Sequence, residues 1–329
     1  MTLWPQLVCP SCHGELDAAS GLLSCPECRR TFPIVAGIPD LRLVADRYLS
    51  LEDDRAKAEA LDRAPGGFAG ALATYWSMTP EVPAAVARRF AANMAHGAER
   101  GAWPLGLIGD VGPDDVLLDV GCGTGGTLAA AAERGATVVG IDTALRWLVV
   151  AKRFLEERGL EALLVAADGA TPPFRFGSFS AVTCVEVLEH AADPRGLLNT
   201  CLLHAERPDA RAALITANRF SIAPEPGVRV WGVGFLPRRL AAPYVELRRH
   251  TSYRYTRPVS LFEVRALVGL RGRARISGAP LPPARANTSA LRRLTARIVD
   301  RLTEVPGLST ISPFLAVRQP RVDEERRSM

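Results

Sequence analysis

The sequence predicts an α/β protein: a mostly parallel seven-stranded sheet flanked by helices, preceded by a small metal-held unit at the N-terminus. Three observations carry this prediction. Between residues 113 and 219, short apolar runs alternate with helix-like stretches, the pattern of buried parallel strands joined by right-handed crossovers. Residues 116–144, "VLLDVGCGTGGTLAAAAERGATVVGIDTA", read as strand, glycine loop, helix, strand and terminal acid. Four cysteines crowd into residues 9–28.

At 329 residues, 48% of them hydrophobic, the chain has material for one large and one small globular unit. No apolar run is long enough to span a membrane. The opening "MTLWPQLVCP" lacks the basic and apolar regions of a secretory signal, so the expected location is the cytoplasm. The formal charge of +5 raises the question of a nucleic-acid partner. Of the 40 basic residues only Lys57 and Lys152 are lysines, leaving 38 arginines. With so much alanine, that imbalance fits GC-rich coding, and the basic residues read as a solvated surface.

Residues 1–41 form the first unit. Cys9, Cys12, Cys25 and Cys28 make two C-x2-C pairs separated by twelve residues. Each pair on a tight turn aims two sulfurs at one point, and two such turns supply four thiolates for a tetrahedral structural zinc. Two disulfides would need an oxidising compartment. The unit ends in "FPIVAGIPDL", a strand-like run, and is too short to fold on apolar burial alone; the metal is expected to supply most of its stability. Cys122, Cys184 and Cys201 are isolated and read as small core residues.

Residues 42–108 read as a helical connector or lid. "DRYLSLEDDRAKAEALDR" is charged and helix-prone, and Gly66-Gly67 interrupts it. A second helix is expected from Thr79 as N-cap, with Pro80 at its first position and Gly97 or Gly101 as its stop. Residues 109–318 hold the sheet and its insertions. Strands are expected in "DVLLDV", "TVVGI", "LEALLVAAD", "SAVTCVEV" and "RAALITAN", with "RARISGAP" and "SPFLAVRQP" as the last two. Residues 144–158 are expected to form an amphipathic helix with Leu145, Leu148, Ala151 and Leu155 on one side and Gly159 past its end. "NTSALRRLTARIVDRLTEVPG" reads as a helix and residues 319–329 as a frayed tail.

A Gly-x-Gly after a strand can hold several ligands. A phosphate loop is excluded because no Gly-Lys-Ser/Thr follows and no lysine lies near. A dinucleotide site is opposed by Asp119, whose charge at the tip of the first strand would meet a pyrophosphate. S-adenosylmethionine has no phosphate and carries a cationic amino group and a sulfonium, which an acid there suits. Gly121, Gly123 and Gly125 let backbone pass close under a ligand. Asp142, with Thr143 beside it, ends the second strand, where an acid meets ribose hydroxyls. Asp168, followed by Gly169, ends the third, where a carboxylate would accept an adenine amino group.

The stretches "LLDVGCGTGG", "VVGIDTA", "AADGATPPF" and "VTCVEVLEH" closely resemble the class I S-adenosylmethionine-dependent methyltransferases, over roughly residues 113–219. The resemblance implies a Rossmann-like fold and assigns Asp119, Gly121, Gly123 and Gly125 to the methionine side of the cofactor. It assigns Asp142 to ribose and Asp168 to adenine, and puts Val185 beside the ligand. The N-terminal "LVCPSCHGEL" and "LSCPECRRTFPIVAGIPDL" resemble the Trm112-like zinc-ribbon family.

For the chemistry, His190 is the expected general base, in competition with a purely structural role. A third reading makes Glu186, Glu189 and His190 ligands of Mg²⁺, through a Glu-x-x-Glu-His pattern that resembles some quinone-pathway and small-RNA methyltransferases; His250 is a poorly aligned fourth ligand. Residues 218–240, with Phe220, Trp231 and Phe235, are expected to shape an apolar substrate pocket, and "RRHTSYRYTRP" to meet an acidic or sugar-like group. The leading function is methyl transfer to a small biosynthetic intermediate. An RNA or protein methyltransferase that uses the ribbon for recognition is the alternative, and a non-catalytic S-adenosylmethionine-binding scaffold the third. No basic run interleaves aromatic side chains in the ribbon, which weighs against RNA. The sequence does not fix the oligomeric state.

Overall fold

The computed structural model describes residues 7–19, 21–205, 208–269, 274–279, 281–282 and 311–319. The helix expected over 287–307 and the terminal tail after Gln319 lie outside the described residues; Gln319 itself ends a strand.

The chain opens with short strands β1 (Asp17–Ala19), β2 (Leu22–Ser24), β3 (Thr31–Val35) and β4 (Ile38–Pro39), paired in that order and antiparallel throughout. Ala36 and Gly37, both at positive φ, make the two-residue turn between β3 and β4, the hairpin geometry that matches strand twist. Four helices follow: α1 (Leu51–Asp62), α2 (Gly67–Ser77), α3 (Ala84–Ala95) and α4 (Gly97–Ile108). The remainder alternates: β5 (Val116–Val120), α5 (Gly126–Ala132), β6 (Thr137–Asp142), α6 (Leu145–Glu156), β7 (Leu163–Ala166), β8 (Ala181–Val185), α7 (Pro194–His204) and β9 (Arg211–Ala217). It closes with α8 (Arg238–Arg249), α9 (Leu261–Val268), β10 (Arg275–Ala279) and β11 (Phe314–Gln319).

The large sheet runs β10-β11-β9-β8-β5-β6-β7. From β9 to β7 neighbouring strands are parallel, and β11 is antiparallel to both β9 and β10. The parallel strands are apolar and buried because helices cover both faces. On one face α1, α2, α4, α5 and α6 pack through Leu61, Phe68, Leu105, Leu128 and Phe154. On the other, α7 and α9 pack through Leu198, Cys201, Leu261 and Val264. Strand order reverses between β5 and β8, and in open α/β sheets the crevice outside such a switch point takes the ligand.

Two local readings are corrected. Thr79 does not begin a helix: its hydroxyl donates to the Tyr75 carbonyl at 2.9 Å and finishes α2, and the next helix starts at Ala84 behind Pro83. The helix ends at Ala95, capped by His96 just before Gly97, as one of the two expected stops had it; Gly101 lies within α4, where a Cβ on it would sit 2.2 Å from the Gly126 carbonyl oxygen. These glycines let α4 touch the start of α5, immediately after the glycine loop. The N-terminal unit packs against the large domain. Leu7, Cys9, Leu23, Cys25, Phe32 and Leu41 share one buried cluster with Val165, Phe174 and Phe179 of the large domain. Its end joins the sheet edge, the Leu41 N–H donating to the Ala166 carbonyl at 2.8 Å.

Candidate active site

The turn after β5 has Gly121, Gly123 and Gly125 at φ of 73°, 52° and 80°, a left-handed path that side chains with a Cβ resist. At Gly121 a Cβ would also lie 2.3 Å from the Val187 side chain, so only glycine passes there. The loop is held from below. Asp142, at the end of β6, accepts the Gly123 N–H at 2.9 Å with one oxygen and the Ala144 N–H at 2.8 Å with the other. Asp168, just past β7, accepts the Ala170 N–H at 2.9 Å. Asp119 is buried and accepts a hydrogen bond from the Thr183 hydroxyl at 2.8 Å. Burial pushes the Asp119 pKa up to about 7, against hydrogen bonds from Thr183 and Thr127.

A cavity of about 330 Å³ runs along the carboxyl ends of β5, β6 and β7. Gly121, Asp142, Thr143, Asp168, Gly169 and His190 line it. A second hollow, of about 270 Å³, lies between the glycine loop and α3–α4 and is lined by Asp119, Thr124, Val185 and Trp103. Gly121 and Glu186 border both. The structure thus brings the sequence-predicted residues together along one edge, with Asp119 and Val185 on the second side; Gly123 and Gly125 shape the loop without lining either hollow.

The outer wall is what the sequence pattern did not reveal. Val44, Ala45, Asp46, Arg47 and Tyr48, between β4 and α1, border the main cavity. They are fixed by buried charges. Arg42 forks onto Asp40 at 2.7 and 2.8 Å, contacts Asp54 at 2.5 Å and reaches the Thr143 carbonyl at 2.7 Å. Arg146, on α6, bridges Asp46 and Asp54 at 2.7 Å each. Removing one member would strand a buried charge, so the network acts as a unit. Charged residues in a helix-prone run gave no sign of burial.

Glu186 follows β8 with φ of 56°, a strained value for a residue with a Cβ. Burial and the neighbouring Glu189 push its pKa up to about 7, while Arg100, 4.0 Å away, acts in the other direction. Glu189 points elsewhere: it is buried, accepts the Thr216 hydroxyl at 2.7 Å and the Ala217 N–H at 3.4 Å, and its pKa is pushed up to about 6, chiefly by burial. His190 is exposed at the cavity mouth. Desolvation around its ring lowers its pKa, opposed by Glu186 and by the Tyr255 carbonyl.

The Mg²⁺ reading does not fit this geometry. Among the described residues the only group of His, Cys, Asp or Glu with donor atoms gathered for a metal is the cysteine set. Glu189 is committed to β9, and His250 caps α8, exposed, in a left-handed conformation. Phe220, Trp231 and Phe235 do not line the main cavity: they form a row of tilted rings, with centroids 5.8 and 6.2 Å apart, in which Trp231 and Phe235 are exposed and Phe220 is half-buried.

The cysteines do converge. Cys9 and Cys28 sulfurs are 3.6 Å apart, Cys12 and Cys25 sulfurs 3.4 Å, and all four lie within 4.8 Å of one another. A tetrahedron with Zn–S near 2.3 Å has S–S edges of about 3.8 Å, so the set suits zinc. His13 and Arg29, at φ of 63° and 60°, turn the chain after each pair in the same way. The other three cysteines, Cys122, Cys184 and Cys201, are buried in the large domain.

Residues 118–203 match the family model described as a methyltransferase domain, and residues 3–37 match that of Trm112p-like proteins. Residues 118–203 are thus similar to a methyltransferase domain, and residues 3–37, which hold the four cysteines, to a Trm112p-like unit. A ubiquinone biosynthesis O-methyltransferase from Idiomarina loihiensis is 32% identical over 154 residues, covering 45% of this chain and 58% of that protein. One of the same name from Leptothrix cholodnii is 40% identical over 108 residues, covering 31% and 44%. The chain thus spans about half the length of the curated relatives it matches. Geranyl diphosphate C-methyltransferase from Streptomyces coelicolor superposes with a TM-score of 0.44 at 18% identity, over 68% of this chain and 78% of that one. Among the described residues no helix is long and apolar enough to cross a membrane.

Proposed function

We propose that the protein transfers a methyl group from S-adenosylmethionine to a hydroxyl of a small molecule held at the mouth of the main cavity. One observation carries the reading: three acids, Asp119, Asp142 and Asp168, flank a lysine-free glycine loop at the switch point, and the cavity that Asp142 and Asp168 line reaches His190. The name shared by the curated relatives supports oxygen as the acceptor atom.

When bound, S-adenosylmethionine supplies a methyl on a sulfonium, a good leaving group for in-line displacement. The chain's own residues do the rest. Gly121, Gly123 and Gly125 give backbone room, Asp119 offers negative charge to the methionine end, Asp142 a ribose acceptor and Asp168 an adenine acceptor. Thr143 and Gly169 line the wall between the two acids, and Val185 closes the methionine side. His190, its pKa held down by desolvation, is neutral near pH 7 and takes the hydroxyl proton; Glu186 then stabilises the imidazolium. The four thiolates of Cys9, Cys12, Cys25 and Cys28 hold one structural zinc, which fixes the unit that docks on β7.

The test is transfer itself. Incubated with methyl-labelled cofactor and extracted metabolite pools, the protein should label a small molecule. Label found only in RNA or protein would overturn the small-molecule reading, and cofactor binding without label in any pool would favour a scaffold.

A further inference from the structure

A cavity of about 310 Å³ opens in the C-terminal part of the chain, beside the first turns of α8 and residues 253–258, and methyl transfer as argued above does not use it. Five arginines line it, Arg219, Arg238, Arg239, Arg254 and Arg257, and no Asp or Glu does. Two are committed. Arg219 donates Nε to the Gly234 carbonyl at 3.0 Å and lies over the Phe220 ring, and Arg238 pairs with Glu263. Arg239, Arg254 and Arg257 are exposed and have no carboxylate partner among the described residues.

Exposed arginines ordinarily splay into solvent. These are delivered to one hollow by backbone that other contacts hold. Arg239 lies in the first turn of α8, a twelve-residue helix whose N-cap, Pro237, offers no side-chain hydrogen bond. Its free N–H groups add positive potential there. Arg254 and Arg257 flank Tyr255, whose ring meets Tyr48 of the cofactor wall edge-on at 5.3 Å. The Arg257 N–H donates to the Glu189 carbonyl at 2.8 Å, one residue from His190. Like charges converging on a hollow favour an anion. Three uncompensated guanidiniums leave a surplus beside one carboxylate, whereas a phosphoryl or diphosphoryl group matches both their charge and their fork geometry.

We propose that this cavity binds a phosphoryl group of the methyl acceptor, making the acceptor a phosphate or diphosphate ester whose remaining part reaches His190. This rests on the methyl-transfer reading, so the two are tested separately. S-adenosylhomocysteine titrated into the full chain reports on the cofactor site alone, and absence of binding there would sink the methyl-transfer reading. Inorganic pyrophosphate titrated next should bind saturably. Arg239→Ala and Arg254→Ala should each weaken it about tenfold, the worth of one charge-assisted hydrogen bond at an open site, with S-adenosylhomocysteine affinity and melting temperature unchanged. Arg254→Lys should recover only part of the loss. Absence of saturable pyrophosphate binding, wild-type affinity in both alanine variants, or citrate binding as tightly as pyrophosphate would overturn the phosphoryl site.

Discussion

The Asp142 carboxylate accepts the Gly123 N–H at 2.9 Å, so the acid that ends one strand sets the loop that follows its neighbour. Loop and acid are one device: the group expected to meet ribose also holds the glycines in place.

Asp142→Ala should therefore do two things. It strands the Gly123 and Ala144 N–H groups, at a cost of about 1–3 kcal/mol for a buried unsatisfied group, and it removes the ribose acceptor. Calorimetry should show cofactor affinity lowered at least tenfold, alongside a lower melting temperature. Unchanged affinity would remove Asp142 from the cofactor site.

Metal analysis of protein purified without added zinc should find about one equivalent per chain, because a four-thiolate site is closed and tight. Sequence alone would confine the damage of Cys25→Ser to the N-terminal unit. The shared core and the Leu41–Ala166 hydrogen bond predict more: a lower melting temperature for the whole chain and weaker cofactor binding through the displaced 42–48 wall. Free reaction of all four thiols with a thiol reagent in the native protein would refute the site.

His190→Ala should lower turnover by roughly a hundredfold, the contribution of a general base, with cofactor affinity nearly constant. Glu189→Ala should act differently, since its carboxylate braces Thr216: stability falls, and activity at low temperature survives. Equal loss of turnover in Glu186→Ala, Glu189→Ala and His190→Ala, restored by Mg²⁺, would reinstate the metal reading.

Burial raises the pKa of Asp119 to about 7, far above the ordinary carboxyl value. A carboxyl raised in this way contributes stability below its unfolded pKa and loses it as pH rises through the folded one. Through Asp119, Glu186 and Glu189 the ligand-free protein should thus lose stability progressively as pH rises from about 4 to 7. A cationic ligand favours the ionised acid, so S-adenosylmethionine affinity should rise with pH through this range and binding should release protons below pH 7. Titration calorimetry in two buffers of different ionisation heat measures the release; proton-neutral binding at pH 6 would exclude Asp119 from the cation site.

What the sequence determined by itself was whatever short-range pattern encodes. Continuous apolar runs marked β5 to β9 because parallel strands are buried on both faces, and three glycines with a following acid marked the loop because few residues tolerate its backbone. Cysteine spacing marked the thiolate cluster, since each C-x2-C turn aims its own sulfurs. Tertiary structure alone decided the rest. Gly101 read as a helix stop until its lack of a Cβ is seen to admit Gly126, and Glu189 read as a ligand until Thr216 claims it. Asp54 and Arg146 are 92 residues apart, and nothing local distinguishes such a buried pair from solvated charges. Backbone preference and strand burial are written over a few neighbouring residues, whereas close approach and charge pairing depend on which distant segment the fold brings alongside.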